Sequence, residues 1–410
     1  MQVTLIKGDK VSDKTDYRDS LPVNMYAVER PILGAQGYML CYPGLTKIAD
    51  GLGIDRGGFY NDRQEKLFRV SGTNLIEVAA SGTVTNLGTV TGTDQAALTY
   101  SFNTQCVVAD GKAYLYDTTS GFREITDSDL GDPIDVVWID GYYFFTDGEF
   151  LYHTDITSEE SIDPLKFATA EFMPDASLGL AKTQDNKVMV FGRYSIEYFV
   201  NAATENFAFQ RVETRGQKIG IVATHAKCEC NGKWYITGGR RDDSLGVHAV
   251  TLGSTQKVST REIDKLLAQY SESNLSDMRM ETRTEDNITF TIIHLPNETL
   301  CFNESIAAKF GIEAAWTILK TDVKGDDTYR GINAVFDPRR GDWVLGDKRN
   351  ANIGYIDNEV FTHYDDMVEW LLYSPFIKLD SASIDKLNLE TIPGHTSTDD
   401  ATVAISMTYD

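Results

Sequence analysis

Between residues 60 and 360 the chain repeats one phrase about seven times: a tight turn followed by two short strands. The turns are Asn61, Asp110-Gly111, Asp140-Gly141, Asp185-Asn186, Asn231-Gly232, Asp286-Asn287 and Arg340-Gly341. Asp-Gly, Asn-Gly and Asp-Asn supply the positive φ angles that a tight hairpin needs. Apolar, β-branched or aromatic runs follow, such as Ala113-Tyr114-Leu115-Tyr116, Tyr142-Tyr143-Phe144-Phe145, Val188-Met189-Val190-Phe191 and Ile288-Thr289-Phe290-Thr291-Ile292-Ile293. Such residues suit a pleated, half-buried surface. One hairpin cannot bury its own face, whereas a radial stack can. The sequence therefore predicts an all-β chain, a β-propeller of six or seven irregular blades. The spacing of the turns, about 30 to about 55 residues, is wider than in regular propellers.

Three regions follow from this reading: an N-terminal arm at 1–50, the propeller at 51–364, and the start of a C-terminal β domain at 365–410. The arm carries the turn signal Pro43-Gly44 and no amphipathic helix. In the last region Leu387-Asn388-Leu389-Glu390 and Val403-Ala404-Ile405-Ser406-Met407 alternate as half-buried strands do. The final run finds no partner strand before Asp410, so this domain is expected to be completed elsewhere. One short helix is predicted. Ser259-Thr260-Arg261-Glu262 reads as a capping box with Ser259 as N-cap. Ile263, Leu266, Leu267 and Tyr270 then form one apolar stripe, expected to pack on the propeller.

Composition narrows the function. A net charge of −23 argues against coating DNA, which needs clustered Lys and Arg. It is compatible with a surface past which DNA slides. No run reaches the roughly 18 apolar residues of a membrane helix, and the first residues lack a signal-peptide core. A soluble protein not exported by a cleaved signal is expected. Cys41, Cys106, Cys228, Cys230 and Cys301 are odd in number and scattered, which predicts reduced cysteines. Cys228 and Cys230, with His225 near, lack the second ligand pair of a zinc site.

Signals for catalysis are weak. The chain has no Gly-x-Ser-x-Gly elbow and no phosphate loop. His153, His225, His248, His294, His363 and His395 form no metal-binding pair by spacing. No sialidase-type Asp box is present. Abundant carboxylates and aromatic residues leave a carbohydrate-binding or glycan-cleaving propeller as the alternative. Its discriminator is a pocket with paired carboxylates or stacked aromatic rings.

Several stretches, in order, resemble the tail hub family of P22-like short-tailed phages, also called packaged-DNA stabilisation proteins. They are Asp16-Tyr17, Leu21-Pro22-Val23-Asn24-Met25, Gly37-Tyr38, Pro43-Gly44, Ser195-Ile196-Glu197-Tyr198-Phe199, Gln217-Lys218 with Gly220, and Ile292-Ile293-His294-Leu295-Pro296. Leu319-Lys320-Thr321, Tyr329-Arg330-Gly331, Gly346-Asp347-Lys348 and Glu369-Trp370-Leu371-Leu372-Tyr373-Ser374-Pro375 complete the set. These are taken as markers of the fold, since Pro, Gly and buried aromatic residues specify turns and packing. The family's C-terminal domain runs further than this chain. The resemblance implies a structural virion protein without catalysis or cofactor. It also implies a six-copy ring below the portal and its adaptor, contacts with the tail needle and tailspikes, and double-stranded DNA passing through the lumen.

Overall fold

A computed structural model describes residues 21–31, 35–325, 327–373, 386, 388–389 and 403–405. Asp16, Tyr17 and His395 lie outside the described residues, as does most of 376–410. The chain divides into a compact unit, Met1–Pro375, and a second unit, Phe376–Asp410. The described part of the second expected C-terminal strand, Val403–Ile405, carries no ladder pairing among the described residues.

Seven antiparallel sheets make the propeller. Blade 1 has strands Asp55–Asn61, Lys66–Ser71, Asn74–Val78 and Val84–Thr89. Blade 2 has Ala97–Tyr100, Gln105–Ala109, Lys112–Asp117 and Gly121–Glu124. Blade 3 has Asp135–Ile139, Tyr142–Thr146, Leu151–Asp155 and Ser158–Ala168. Blade 4 has Ser177–Lys182, Val188–Gly192, Ile196–Asn201 and Phe209–Arg211. Blade 5 splits its first strand into Gly220–Ile221 and Lys227–Cys230, both paired with Lys233–Gly239, and adds Gly246–Thr251 and Ser254–Lys257. Blade 6 has Arg279–Glu285, Ile288–His294, Thr299–Asn303 and Trp316–Leu319.

Blade 7 is built from both ends of the compact unit. Gly331–Asp337, Asp342–Asp347 and Asn352–Asp357 take Gly44–Asp50 as their fourth strand. Thr362–His363 then pairs parallel to Gly44–Asp50, and Asp366–Met367 pairs with Thr362–His363. The sequence placed residues 44–50 in an arm and residues 365 onward in another domain; Gly44–Asp50 and Asp366–Met367 instead join this sheet. The reason is physical: the fourth strand closes the ring by joining the first and last blades, so it must come from far away in the chain.

Six of the seven turns link the first and second strands of a blade. Asp110-Gly111 differs, joining the second and third strands of blade 2, whose first turn is Ser101–Thr104. That displacement accounts for the short interval between the second and third turns. Asp110-Gly111, Asp140-Gly141, Asn231-Gly232 and Asp286-Asn287 have positive φ at both central residues, as type I′ turns require.

The cores lie between blades. On the second strand of blade 3, Tyr143 and Phe145 pack with Val108 and Leu115 of blade 2, whereas Phe144 packs with Val188 and Val190 of blade 4. Alternate side chains leave opposite faces of a strand, and here both faces are buried. That is why these strands read as continuous apolar runs rather than alternating ones.

The helix α1 spans Arg261–Leu267 and buries Ile263, Leu266 and Leu267 against blades 4–6, with Tyr270 packed beside them. Its cap is Thr260, not Ser259: the Thr260 hydroxyl accepts from Ile263 N–H. Ser259 is committed elsewhere, accepting from Val247 N–H at 3.0 Å and donating to Asp264 at 2.6 Å. A second helix, α2 at Glu304–Phe310, sits between the last two strands of blade 6 and is capped by Asn303. The five cysteines are free.

Candidate functional site

The first strands of neighbouring blades lie side by side and close a ring around the propeller axis. Polar side chains of these strands and their flanking turns meet one another there. Asp55 of blade 1 accepts from Arg69 at 2.7 Å and from Asn333 of blade 7 at 2.8 Å. The same Asn333 amide donates to Gln95, which precedes blade 2. Gln95 O lies 3.3 Å from His225 Nε2, and His225 Nδ1 lies 2.8 Å from the Arg279 guanidinium of blade 6. Lys227 of blade 5 donates to Asp135 of blade 3 at 2.7 Å, and Asp135 also accepts from Leu180 N–H of blade 4. Glu281 of blade 6 accepts from Ala334 N–H of blade 7.

Two of these links decide the geometry. His225 to Gln95 spans from blade 5 to the lead-in of blade 2, and Lys227 to Asp135 skips blade 4. Side chains on non-adjacent blades meet only across the axis. Polar side chains from blades 1, 3, 5, 6 and 7, with Gln95 from the lead-in of blade 2, therefore meet around the axis. The split first strand of blade 5 makes this possible: residues 222–226 leave the ladder and deliver His225 inward.

Burial sets the charge states. It pushes the His225 pKa well below its ordinary value, helped by Arg279 and Lys227. A neutral imidazole then accepts from Arg279 at Nδ1 and donates from Nε2 to Gln95 O. Burial raises the Asp55 carboxyl despite Arg69. Next to the axis, burial and then Lys348 lower His294 to about 4, and its Nε2 lies 3.1 Å from Glu281. Burial lowers Lys348 itself to about 7.

The residues quoted as fold markers fall into three places. The first is a strap. Val23 pairs with both Ile318 and Leu371, and Pro22 O accepts from Ile318 N–H. Asn24, at φ 52, donates to Lys320 O and Glu369 O and accepts from Lys320 N–H. Leu21 is buried in the adjoining core, and Met25 O accepts from Thr317. Motifs some 300 positions apart thus meet along the outer strand of blade 6. Pro43 and Gly44 lead from the strap into blade 7, where a Cβ on Gly44 would lie 2.4 Å from Val360 O.

The second place is the junction of blades 6 and 7. Gly331 pairs with Asp347, whose carboxylate receives Arg330 at 2.5 Å. Arg330 also bonds Asp366 and lies over the Tyr364 ring. Tyr329 contacts His363 edge-on, Lys348 donates to Thr299 at 3.1 Å, and a Cβ on Gly346 would strike Asp55. His294 ends the strand next to this knot, whereas Pro296 stands exposed in the following turn. The third place is blade 4, where the buried Glu197 accepts from Phe172 N–H at 2.9 Å and Tyr198 bonds Gln217. Phe199 packs towards blade 3.

The axial residues themselves were not identified from sequence. A signal existed: Arg69 interrupts Leu67-Phe68-Arg69-Val70, and Arg279-Met280-Glu281-Thr282-Arg283 alternates charge with small or apolar residues. Charges on an otherwise buried strand imply buried partners.

Among the described residues, no group of three or more His, Cys, Asp or Glu is placed to hold a metal ion. An open groove of ≈ 510 Å³ runs beside Phe102, lined by Arg63, Gln64, Asn103, Asp117 and Thr119. Its carboxylate is engaged, since Asp117 pairs with Arg123 at 2.6 Å.

Residues 1–361 match the family model described as bacteriophage P22 Gp10, β-propeller. A curated relative, the tail hub protein gp10 of Salmonella phage P22, is 30% identical over 414 residues, covering 96% of this chain and 84% of the relative. Among solved structures, a streptogramin B lyase aligns with a TM-score of 0.50 at 11% identity, covering 76% of this chain and 97% of the lyase. At that identity the likeness is one of fold.

Proposed function

This chain belongs to the family of bacteriophage P22 Gp10 β-propellers, and on that premise we propose that it is the hub of a short-tailed phage tail. In this reading it is a structural virion protein without catalytic activity, assembled in the host cytoplasm and resident in the virion tail. Six copies form a ring beneath the portal–adaptor complex. The ring closes the DNA conduit after packaging, holds the tail needle, helps mount the tailspikes and lets DNA pass on ejection.

One observation supports this assignment best. The axis is bridged by polar contacts that link blade 5 to blade 3 and tie the lead-in of blade 2 to blades 5 and 7. A propeller braced in this way suits a ring component in which DNA runs between copies, not through one. The net charge of −23 suits a conduit wall as well. An acidic surface facing the lumen repels phosphates and binds no sequence.

The test is the mass of the chain alone and mixed with its cognate portal–adaptor complex. Uptake of about six copies per ring is expected, the count at which a head-to-tail contact closes here. A chain that never associates with the ring overturns the assignment.

A further inference from the structure

One aromatic ring is held out in solvent by a turn that is otherwise pinned. Phe102 lies in the first turn of blade 2 and is 58% exposed, more than any other phenylalanine or tryptophan among the described residues. The turn has little freedom. Ser101 N–H donates to Thr104 O at 2.9 Å, and the buried Tyr143 hydroxyl donates to the same oxygen at 2.8 Å. Gln64, from the first turn of blade 1, donates to Asn103 O at 2.7 Å. The Phe102 ring meets Trp138 of blade 3 edge-on, with centroids 4.9 Å apart. A ring already fixed in place loses little further freedom when a ligand stacks on it.

Uncharged polar groups stand around this ring. The groove beside it, ≈ 510 Å³, has the size of a small-ligand site. Its walls are the first turns of blades 1 and 2 and the turn between the last two strands of blade 2. In an antiparallel sheet those turns fall on one side, so the groove opens on one face of the propeller. Asn103, Thr118 and Thr119 are exposed along it.

The charged side chains of the groove are already engaged. Asp117 Oδ1 accepts from Thr119 N–H at 2.8 Å and from Ser120 N–H at 2.7 Å, and its Oδ2 receives Arg123 at 2.6 Å. Arg63 hangs over the Phe102 ring, 5.5 Å from its centroid, and is exposed enough to swing aside or donate to a ligand.

This lining selects among ligands. An apolar ligand would leave the amide and hydroxyl wall without partners. A polyanion would approach a chain of net charge −23. A cation would need a free carboxylate, and the groove's own is saturated. A ligand with one apolar face and many hydroxyls satisfies both the ring and the wall, and a pyranose has that form.

We propose that this groove binds a neutral oligosaccharide, stacking one sugar ring on Phe102 and bonding its hydroxyls to Asn103, Thr118 and Thr119. It binds without cleaving, because glycoside hydrolysis needs two carboxyl groups and the groove holds one, which is engaged. The inference stands apart from the hub reading, although a six-copy ring would repeat the site and raise its avidity.

Saturation-transfer NMR of the full-length chain with maltohexaose, cellohexaose and mannohexaose tests it. Binding of at least one is expected, with a dissociation constant on the order of 0.1–1 mM. Phe102→Ala and Asn103→Ala should each weaken it by about tenfold. Leu252→Ala, which removes an exposed apolar side chain from blade 5, should leave it unchanged. Binding should persist from roughly 0.05 to 0.5 M salt, since no ion pair holds the sugar. Circular dichroism checks that the variants are folded. Absence of transfer to all three sugars overturns the proposal, and so does a Phe102→Ala variant that binds like wild type. Binding confined to an oligogalacturonate and lost at high salt overturns the neutral class. Self-association that Phe102→Ala abolishes, without sugar binding, overturns the sugar and assigns the groove to a second copy. Copy number on the portal–adaptor ring is read separately, and Phe102→Ala should join the ring as wild type does.

Discussion

Replacing Arg69 with methionine tests whether the axis is a dry polar brace. Arg69 is fully buried on the second strand of blade 1. Its Nε donates to Asp55 at 2.7 Å, and its terminal nitrogens reach Asn333 O at 3.0 Å, Val344 O at 3.3 Å and Ile332 O at 3.4 Å. One side chain thereby joins the first blade to the last. Methionine keeps much of the volume and removes the charge. Asp55 then retains only the Asn333 amide at 2.8 Å and Gly57 N–H at 3.2 Å. Leaving a buried charge without its partner costs about 3–5 kcal/mol.

The loss should also depend on pH, in a definite direction. Burial already lifts the folded pKa of Asp55 above its unfolded value, with Arg69 opposing the rise. A carboxyl with a raised folded pKa binds its proton more tightly when folded. Its contribution is therefore most favourable in acid and declines as pH rises through the folded pKa. Removing Arg69 raises that pKa further and widens the window. Urea unfolding at pH 5 and pH 8 should show the variant hurt more at pH 8. Adding Asp55→Asn removes the stranded charge and should restore much of the loss. Arg69→Met within about 1 kcal/mol of wild type at both pH values would refute a dry axis. So would a double variant no better than the single one.

Four further outcomes follow from the same geometry. Asn24→Ala removes three hydrogen bonds and asks alanine to hold φ 52, so a loss of about 2–4 kcal/mol is expected; unchanged hydrogen exchange at Val23 and Leu371 would contradict it. Gly346→Ala puts a Cβ 2.1 Å from Asp55 Cβ and should lower the melting temperature through a strain of about 1–3 kcal/mol. Thr260→Ala should cost about 1 kcal/mol through the lost cap of α1, seen as earlier exchange of Ile263 N–H. Burial depresses His153, His225, His248, His294 and His363, with His248 and His294 at about 4 and His363 at about 3. Such groups protonate first in the unfolded chain, so stability should fall as pH drops from roughly 6.5 towards 4, by up to about 1.4 kcal/mol per pH unit for each histidine. Asp55 and Glu197, whose carboxyls burial raises, oppose this trend, and a melting temperature no lower at pH 5 than at pH 7 would count against it.

What the sequence makes legible is whatever is local. The turn dipeptides are legible because positive φ leaves few residue choices, and the second strand of blade 3 because both its faces are buried. The stripe of α1 is legible at helical spacing, while its cap slips by one residue because Ser259 has a tertiary partner in Val247. Helix α2 is hidden: it is short and buries only Ile306. The closing strand Gly44–Asp50 is hidden for a different reason. Its partner, Asn352–Asp357, lies some 300 residues away, and no local pattern encodes that pairing. The axial brace is half legible. Arg69 and Lys227 stand out as charges on buried strands, but only the closed ring brings Asp55 and Asp135 to them.

The closing strand and the axial brace make the ends of the compact unit interdependent. The strap at Pro22–Asn24 binds the edge of blade 6 and Leu371, and the chain then enters blade 7 as its fourth strand. Opening blade 7 would pull Asn333 away from Asp55 and Gln95, and so break contacts across the axis. Those contacts exist only while all seven blades are in place. A propeller held this way tends to open as a whole, since losing one blade strands buried charges in the others.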